Sequence, residues 1–151
     1  MNLRFIKSPE KRIITEQLNE QFGIENLPYL LLESGKEKIR AFSGHLSKEE
    51  ISKISQILNI ESIGIYLLRK ETHSELRLSF DATHILKNQI KNNIIDINKA
   101  QLIEWIRGRD VSINTDKGIK VIKYNSDFLG CGKSSGDRII NHVPKDRRIK
   151  K

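Results

Sequence analysis

Residues 114–143 of this 151-residue chain leave room for little but short strands. Turn signals fall at Asn114 to Gly118, Asn125 to Asp127 and Ser134 to Asp137. Between them lie Ile119 to Tyr124, Phe128 to Lys133 and Arg138 to Val143. Each run is bounded by turn residues and is too short for a helix of ordinary length. Strands that short and that closely spaced bury a face by curling against one another, so the pattern predicts a small β-barrel.

Upstream, helical and extended signals alternate. Ser8-Pro9 reads as an N-cap followed by proline at the first helical position, with Ile13, Ile14, Leu18 and Phe22 at helical spacing and Gly23 as the stop. Tyr29 to Leu32 and Ile39 to Phe42 form a hairpin pattern around Ser34-Gly35-Lys36. Ser47 and Glu50 have the spacing of a capping box, and Ile51, Ile54, Ile57 and Leu58 continue that helix. Ile63 to Leu68 and the alternating Glu75 to Phe80 read as strands, Asp81 as the cap of a short helix through Asn88, and Lys87 to Asn93 as a loop. Asn98 and Gln101 form a second capping box, opening a helix that Gly108 ends. Trp105, with Leu102 and Ile106 at helical spacing, reads as core. The fold class is therefore α+β.

Charge divides the chain. Lys and Arg number 27 and Asp and Glu 19, a formal net charge of +8. Residues 1–75 hold equal numbers of each sign, and every acid there is Glu; residues 76–151 carry the whole excess, and all but one of their acids is Asp. Asp favours caps and turns where Glu favours helices, which agrees with a second half richer in turns. The division expected is a neutral α/β domain over 1–75 and a basic, mostly β domain over 76–151. The basic excess points to a polyanionic partner.

Other classes are excluded. No apolar run approaches the ~20 residues of a membrane span, and Met1 to Glu10 lacks the apolar region of a signal peptide. One cysteine, Cys131, allows no intramolecular disulfide and no multi-cysteine zinc site. The chain is expected to be cytoplasmic, away from membranes. Gly132-Lys133-Ser134 lacks the P-loop's first glycine, because Asp127 stands in its place. With no base beside it in sequence, Cys131 reads as a small buried hydrophobe. His45 and His73 read as surface residues, and His84 as a packing residue; the four histidines have no metal spacing. His142 differs in lying beside the basic tail.

Gly130 and Gly132 admit two readings: a tight barrel corner, or a backbone surface that RNA approaches, with Lys133 at its edge. Arg107 and Arg109 flank Gly108 at a helix end, where cations suit the dipole or meet phosphate. Lys145, Arg147, Arg148, Lys150 and Lys151 form a basic tail, expected to be mobile at its end.

The order Arg107-Gly108, hairpin, Leu129-Gly130-x-Gly132-Lys133, Gly136, Asn141-His142 and Pro144-Lys145-x-Arg147-Arg148 resembles the PUA-like RNA-binding domain at the C-terminus of RsmF-like ribosomal RNA cytosine-C5 methyltransferases. Cys131 stands where that family often has an aromatic. The first 75 residues resemble the α/β unit that precedes PUA domains. The resemblance implies an N-terminal pre-PUA-like domain followed by a small PUA-like β-barrel. It implies a module that binds structured ribosomal or transfer RNA in ribosome biogenesis or RNA modification. The methyltransferase half is absent from the pattern, so no catalysis and no cofactor are expected. Phosphate contacts are assigned to Arg107, Arg109, Lys133, Arg138, Lys145, Arg147 and Arg148, backbone approach to Gly130 and Gly132, and base or ribose contacts to Asn141 and His142. The competing reading is an accessory subunit that docks a separate RNA-modifying enzyme or ribosome-assembly factor.

Overall fold

The computed structural model describes residues 3–60 and 62–150. Two five-stranded sheets divide the chain. The first is an antiparallel meander of β1 (Leu3–Phe5), β2 (Leu30–Ser34), β3 (Lys38–Phe42), β4 (Ile65–Lys70) and β5 (Leu76–Leu78) in sequence order. Helix α1 (Ser8–Phe22) joins β1 to β2, and α2 (Lys48–Ile57) joins β3 to β4. The second sheet has the order β6 (Ile94–Asp96), β8 (Gly118–Tyr124), β9 (Asp127–Ser134), β10 (Arg138–Asn141), β7 (Val111–Ser112). It curls into a half-barrel, and the fold is α+β. Between the sheets lies α3 (Phe80–Ile85), and α4 (Lys99–Ile106) links β6 to β7.

Local chemistry explains most of these boundaries. Both capping boxes form: Ser47 with Glu50 at α2, and Asn98 with Gln101 at α4. Each satisfies two of the backbone donors that a helix N-terminus leaves open. Two expected caps shift. At α1 the cap position is Lys7, and Ser8-Pro9 form the first turn, with no side chain capping it. At α3 the cap is Ser79, whose hydroxyl accepts from the Ala82 backbone N–H at 3.0 Å, and Asp81 sits inside the first turn. Strands β6 and β7 carry no sequence signal, being three and two residues long. β6 pairs parallel with β8, so α4 serves as part of a crossover.

One buried cluster spans both sheets. It runs from Ile14, Leu18 and Phe22 of α1, through Leu68, Leu76 and Leu78, to Val121, Phe128 and Cys131. The two sheets therefore share one core. A second cluster gathers Ile97, Val111, Ile122, Ile139 and Val143 around the fully buried Trp105. Among the described residues, no helix is long and apolar enough to cross a membrane.

Trp105 reaches the sheet because Gly132 has no side chain. A Cβ there would lie 2.6 Å from the indole Cη2, 2.5 Å from Ile139 Cγ2 and 2.7 Å from the Ile140 carbonyl oxygen. Gly132→Ala is expected to overpack this contact and cost about 1–3 kcal/mol. Urea unfolding checks it: the midpoint should fall while the slope is unchanged.

Candidate nucleic-acid interface

Helix α4 ends at Arg107, and Gly108 turns the chain at φ 86°, a left-handed conformation that glycine adopts without strain. The helix end is then held from β10. The Asn141 side-chain amide donates to the carbonyls of Trp105 at 2.8 Å and Arg109 at 3.0 Å. Its Oδ1 accepts from the Val143 N–H at 2.7 Å, and its backbone N–H donates to Asp110 Oδ1 at 2.9 Å. Asn141 was expected to contact a base or ribose. Its amide instead serves as a clamp between α4 and β10, with both polar atoms engaged inside the fold.

The tail after Pro144 folds back on α4 as far as Ile149. A 3₁₀ turn over Lys145–Arg147 brings the chain back to α4, where the Ile149 N–H donates to the Ile106 carbonyl at 2.8 Å. Arg148 lies across Gly108, in space that a Cβ would fill, and its Nε donates to the Val143 carbonyl at 2.9 Å. Arg147 pairs with Asp81 of α3 at 2.9 Å. Lys151 lies outside the described residues.

This folding-back collects cations. Arg107, Lys145 and Lys150 are exposed and make no ion pair among the described residues, and Arg148 is bonded only to a neutral carbonyl. The remaining expected cations have acidic neighbours. Arg109 meets Glu104 at 3.0 Å, Arg138 meets Asp110 at 3.7 Å and Lys133 meets Glu75 at 3.8 Å. Such exposed pairs are weak and open easily to a competing anion.

The glycines behave differently from the RNA-approach reading. Gly130 and Gly132 are both buried. A Cβ on Gly130 would meet the Phe80 ring at 3.0 Å, and its N–H donates to Thr83 Oγ1 at 3.1 Å. Both positions are filled by protein, the first by α3 and the second by Trp105. Cys131 between them is 3% exposed, and burial pushes its thiol up to about 12, so it is a core residue with no nucleophilic form near neutral pH. Among the described residues, no group of three or more His, Cys, Asp or Glu is placed to hold a metal ion.

His142 is half-buried. Burial lowers its pKa below the usual histidine value, Arg77 and Lys133 push the same way, and Glu71 and Asp110 oppose them. Arg77 was missed in the sequence because it belongs to a different sheet and lies 65 positions away.

Residues 92–149 match the family model described as the methyltransferase RsmF PUA domain. Ribosomal RNA small subunit methyltransferase F of Vibrio cholerae is 26% identical over 136 residues, covering 88% of this chain and 27% of the relative. The Shewanella oneidensis protein of that name is 29% identical over 92 residues, 59% of this chain and 19% of the relative. That of Vibrio atlanticus is 32% identical over 79 residues, 50% of this chain and 17% of the relative. The chain thus spans about a quarter or less of the length of these relatives.

His142 has a folded pKa below its unfolded value near 6.5, so the unfolded state binds more protons as pH falls. The resulting stability is complete above about pH 6.5 and declines as pH drops toward the folded pKa. NMR titration of the His142 ring protons should give a midpoint below 6.5; a midpoint above it would contradict the buried, cation-flanked setting. The clamp of Asn141, the folded-back tail and the glycine-packed strand all lie within the stretch, residues 92–149, that is similar to the PUA domain of RsmF methyltransferases.

Proposed function

We propose that this protein is a noncatalytic RNA-binding module that holds structured ribosomal or transfer RNA in ribosome biogenesis or RNA modification, in the cytoplasm. The observation that carries this reading is the face formed by the end of α4 and the returning tail. There Arg107, Lys145, Arg148 and Lys150 stand together without acidic partners, on backbone held by Asn141 and by the Ile149–Ile106 hydrogen bond. Uncompensated cations on a rigid surface bind phosphate oxygens and release the counterions of the polyanion. The names of the relatives, ribosomal RNA methyltransferases, support an RNA partner of that kind. The noncatalytic part of the reading rests on the inert, buried Cys131 and on a family match confined to the PUA portion.

A filter-binding titration over salt tests the RNA reading. With about five phosphates neutralised, affinity should fall roughly three to five decades per decade of salt. A flat dependence would sink the phosphate-contact model. Lys133→Glu should weaken binding with the melting temperature almost unchanged, since Lys133 is exposed and only loosely paired.

A second reading draws on the first sheet. Ile57 and Leu58 at the end of α2 are 81% and 63% exposed. Both segments flanking α2 line a hollow of about 600 Å³ that also includes Tyr29, Phe42, Ile65 and Ile85. Exposed apolar surface of this kind suits a protein partner, and it favours an accessory subunit carrying RNA to a separate RNA-modifying enzyme or ribosome-assembly factor. Replacing Ile57 and Leu58 by lysine should abolish co-purification with a ribosomal RNA methyltransferase lacking its own PUA portion, while RNA affinity is retained. Co-purification that survives the double replacement removes this reading.

A further inference from the structure

The register of the first sheet sets three cations side by side. Lys38 of β3 is directly opposite Arg69 of β4, and Arg69 is directly opposite Arg77 of β5. Residues opposite one another on neighbouring strands share a face. Ile39, Leu68, Leu76 and Leu78, which adjoin these three in sequence, are buried in the core, so the row lies on the face turned away from it. Like charges directly opposite one another destabilise a sheet. The row therefore has a cost that strand pairing does not explain.

Acidic compensation is incomplete. Glu71 meets Arg77 at 2.5 Å, while Glu37 reaches Arg69 only at 3.5 Å. Arg69 Nε is shielded from solvent and has no hydrogen-bond partner. Lys38 makes no ion pair among the described residues; its ammonium lies 5.8 Å from the centre of the Tyr66 ring. At its β5 end the first sheet approaches the second. β5 touches β9, and Arg77 acts on His142 together with Lys133. Lys133 in turn approaches Glu75, just before β5.

We propose that Lys38 and Arg69, with the Glu71-covered Arg77 closing the row, form a second phosphate-binding strip, through which the N-terminal sheet holds the backbone of the same RNA that the α4–tail face binds. This rests on the RNA-binding reading above and extends it to the half of the chain with no net charge in its sequence. Two strand spacings give the row a span of about 10 Å. A bound phosphate would relieve the repulsion within the row.

The test compares the unaltered chain with two variants, using fluorescence anisotropy on a labelled small-subunit ribosomal RNA hairpin across a salt series. In the first, Lys38→Gln and Arg69→Gln are combined; Arg77 is left intact because Glu71 covers it. In the second, Arg107→Gln and Lys145→Gln are combined. The first variant should bind about tenfold more weakly, with a log–log salt slope lower by about 1.4–1.8 for two lost contacts. Its melting temperature should be unchanged or higher, because repulsion has been removed. If its affinity and slope match those of the unaltered chain while the second variant loses both, the strip is off the RNA path and the RNA reading stands. A fall in melting temperature with an unchanged slope makes the row structural and overturns the proposal. Absence of salt-dependent binding by the unaltered chain overturns both.

Discussion

The contact between Trp105 and Gly132 sets the geometry of the C-terminal unit. A strand position without a side chain lets a fully buried indole rest against the sheet, and the indole N–H donates to the Leu129 carbonyl at 2.8 Å. That hydrogen bond satisfies a polar group which would otherwise be costly to bury. With the indole fixed, α4 has one position over β9 and β10. Its C-terminus then falls within reach of Asn141, and the tail has a surface to return to. The basic face follows from packing, because Arg107 and Arg148 come together only where α4 ends and the tail crosses Gly108.

Electrostatics then separates the cations into two kinds. Arg109, Arg138, Lys133 and Arg147 have acidic neighbours that moderate their fields. Arg107, Lys145 and Lys150 have none among the described residues, and Arg148 has only a carbonyl. Lys120 shows the other extreme. It is nearly fully buried, with its ammonium bonded to Asp116 and Asn93, so it contributes to the charge count and little to the surface. A net charge of +8 therefore says less about binding than the few positions where no acid lies close.

The sequence was legible mostly where the cause is local, although the caps expected at Ser8 and Asp81 lie one and two residues earlier. Capping boxes at Ser47 and Asn98 depend on residues three apart, and both form. Turn chemistry at Asn125 and at Ser134 to Asp137 delimits β8, β9 and β10 closely. Trp105 and Cys131 are buried as their patterns imply. Readings that need tertiary partners fared differently. Gly130 and Gly132 announce a close approach, but not what approaches, and the answer is Phe80 and Trp105. Asn141 carries the signal of a polar residue near a basic tail, and nothing local reveals that its amide is committed to two carbonyls at the end of α4. Strands β6 and β7 exist because longer neighbours extend their ladders to them, a cause absent from their own few residues.

The shared core changes what the uneven distribution of charge means. If the two halves were independent, a neutral N-terminal unit could be assigned a task apart from RNA. Leu76 and Leu78 instead pack in the same cluster as Val121, Phe128 and Cys131. The first sheet is thereby held against the second, and the charges of Arg77 and Lys133 both lower the His142 pKa. Zero net charge over residues 1–75 also conceals a spatial separation of signs. Arg4, Glu10, Glu33 and Lys70 neutralise one another in a connected network. Lys38 and Arg69 lie outside that network, in the cross-strand row. Paired strands keep the backbone spacing of such cations set before a polyanion binds, which favours affinity without requiring additional charge.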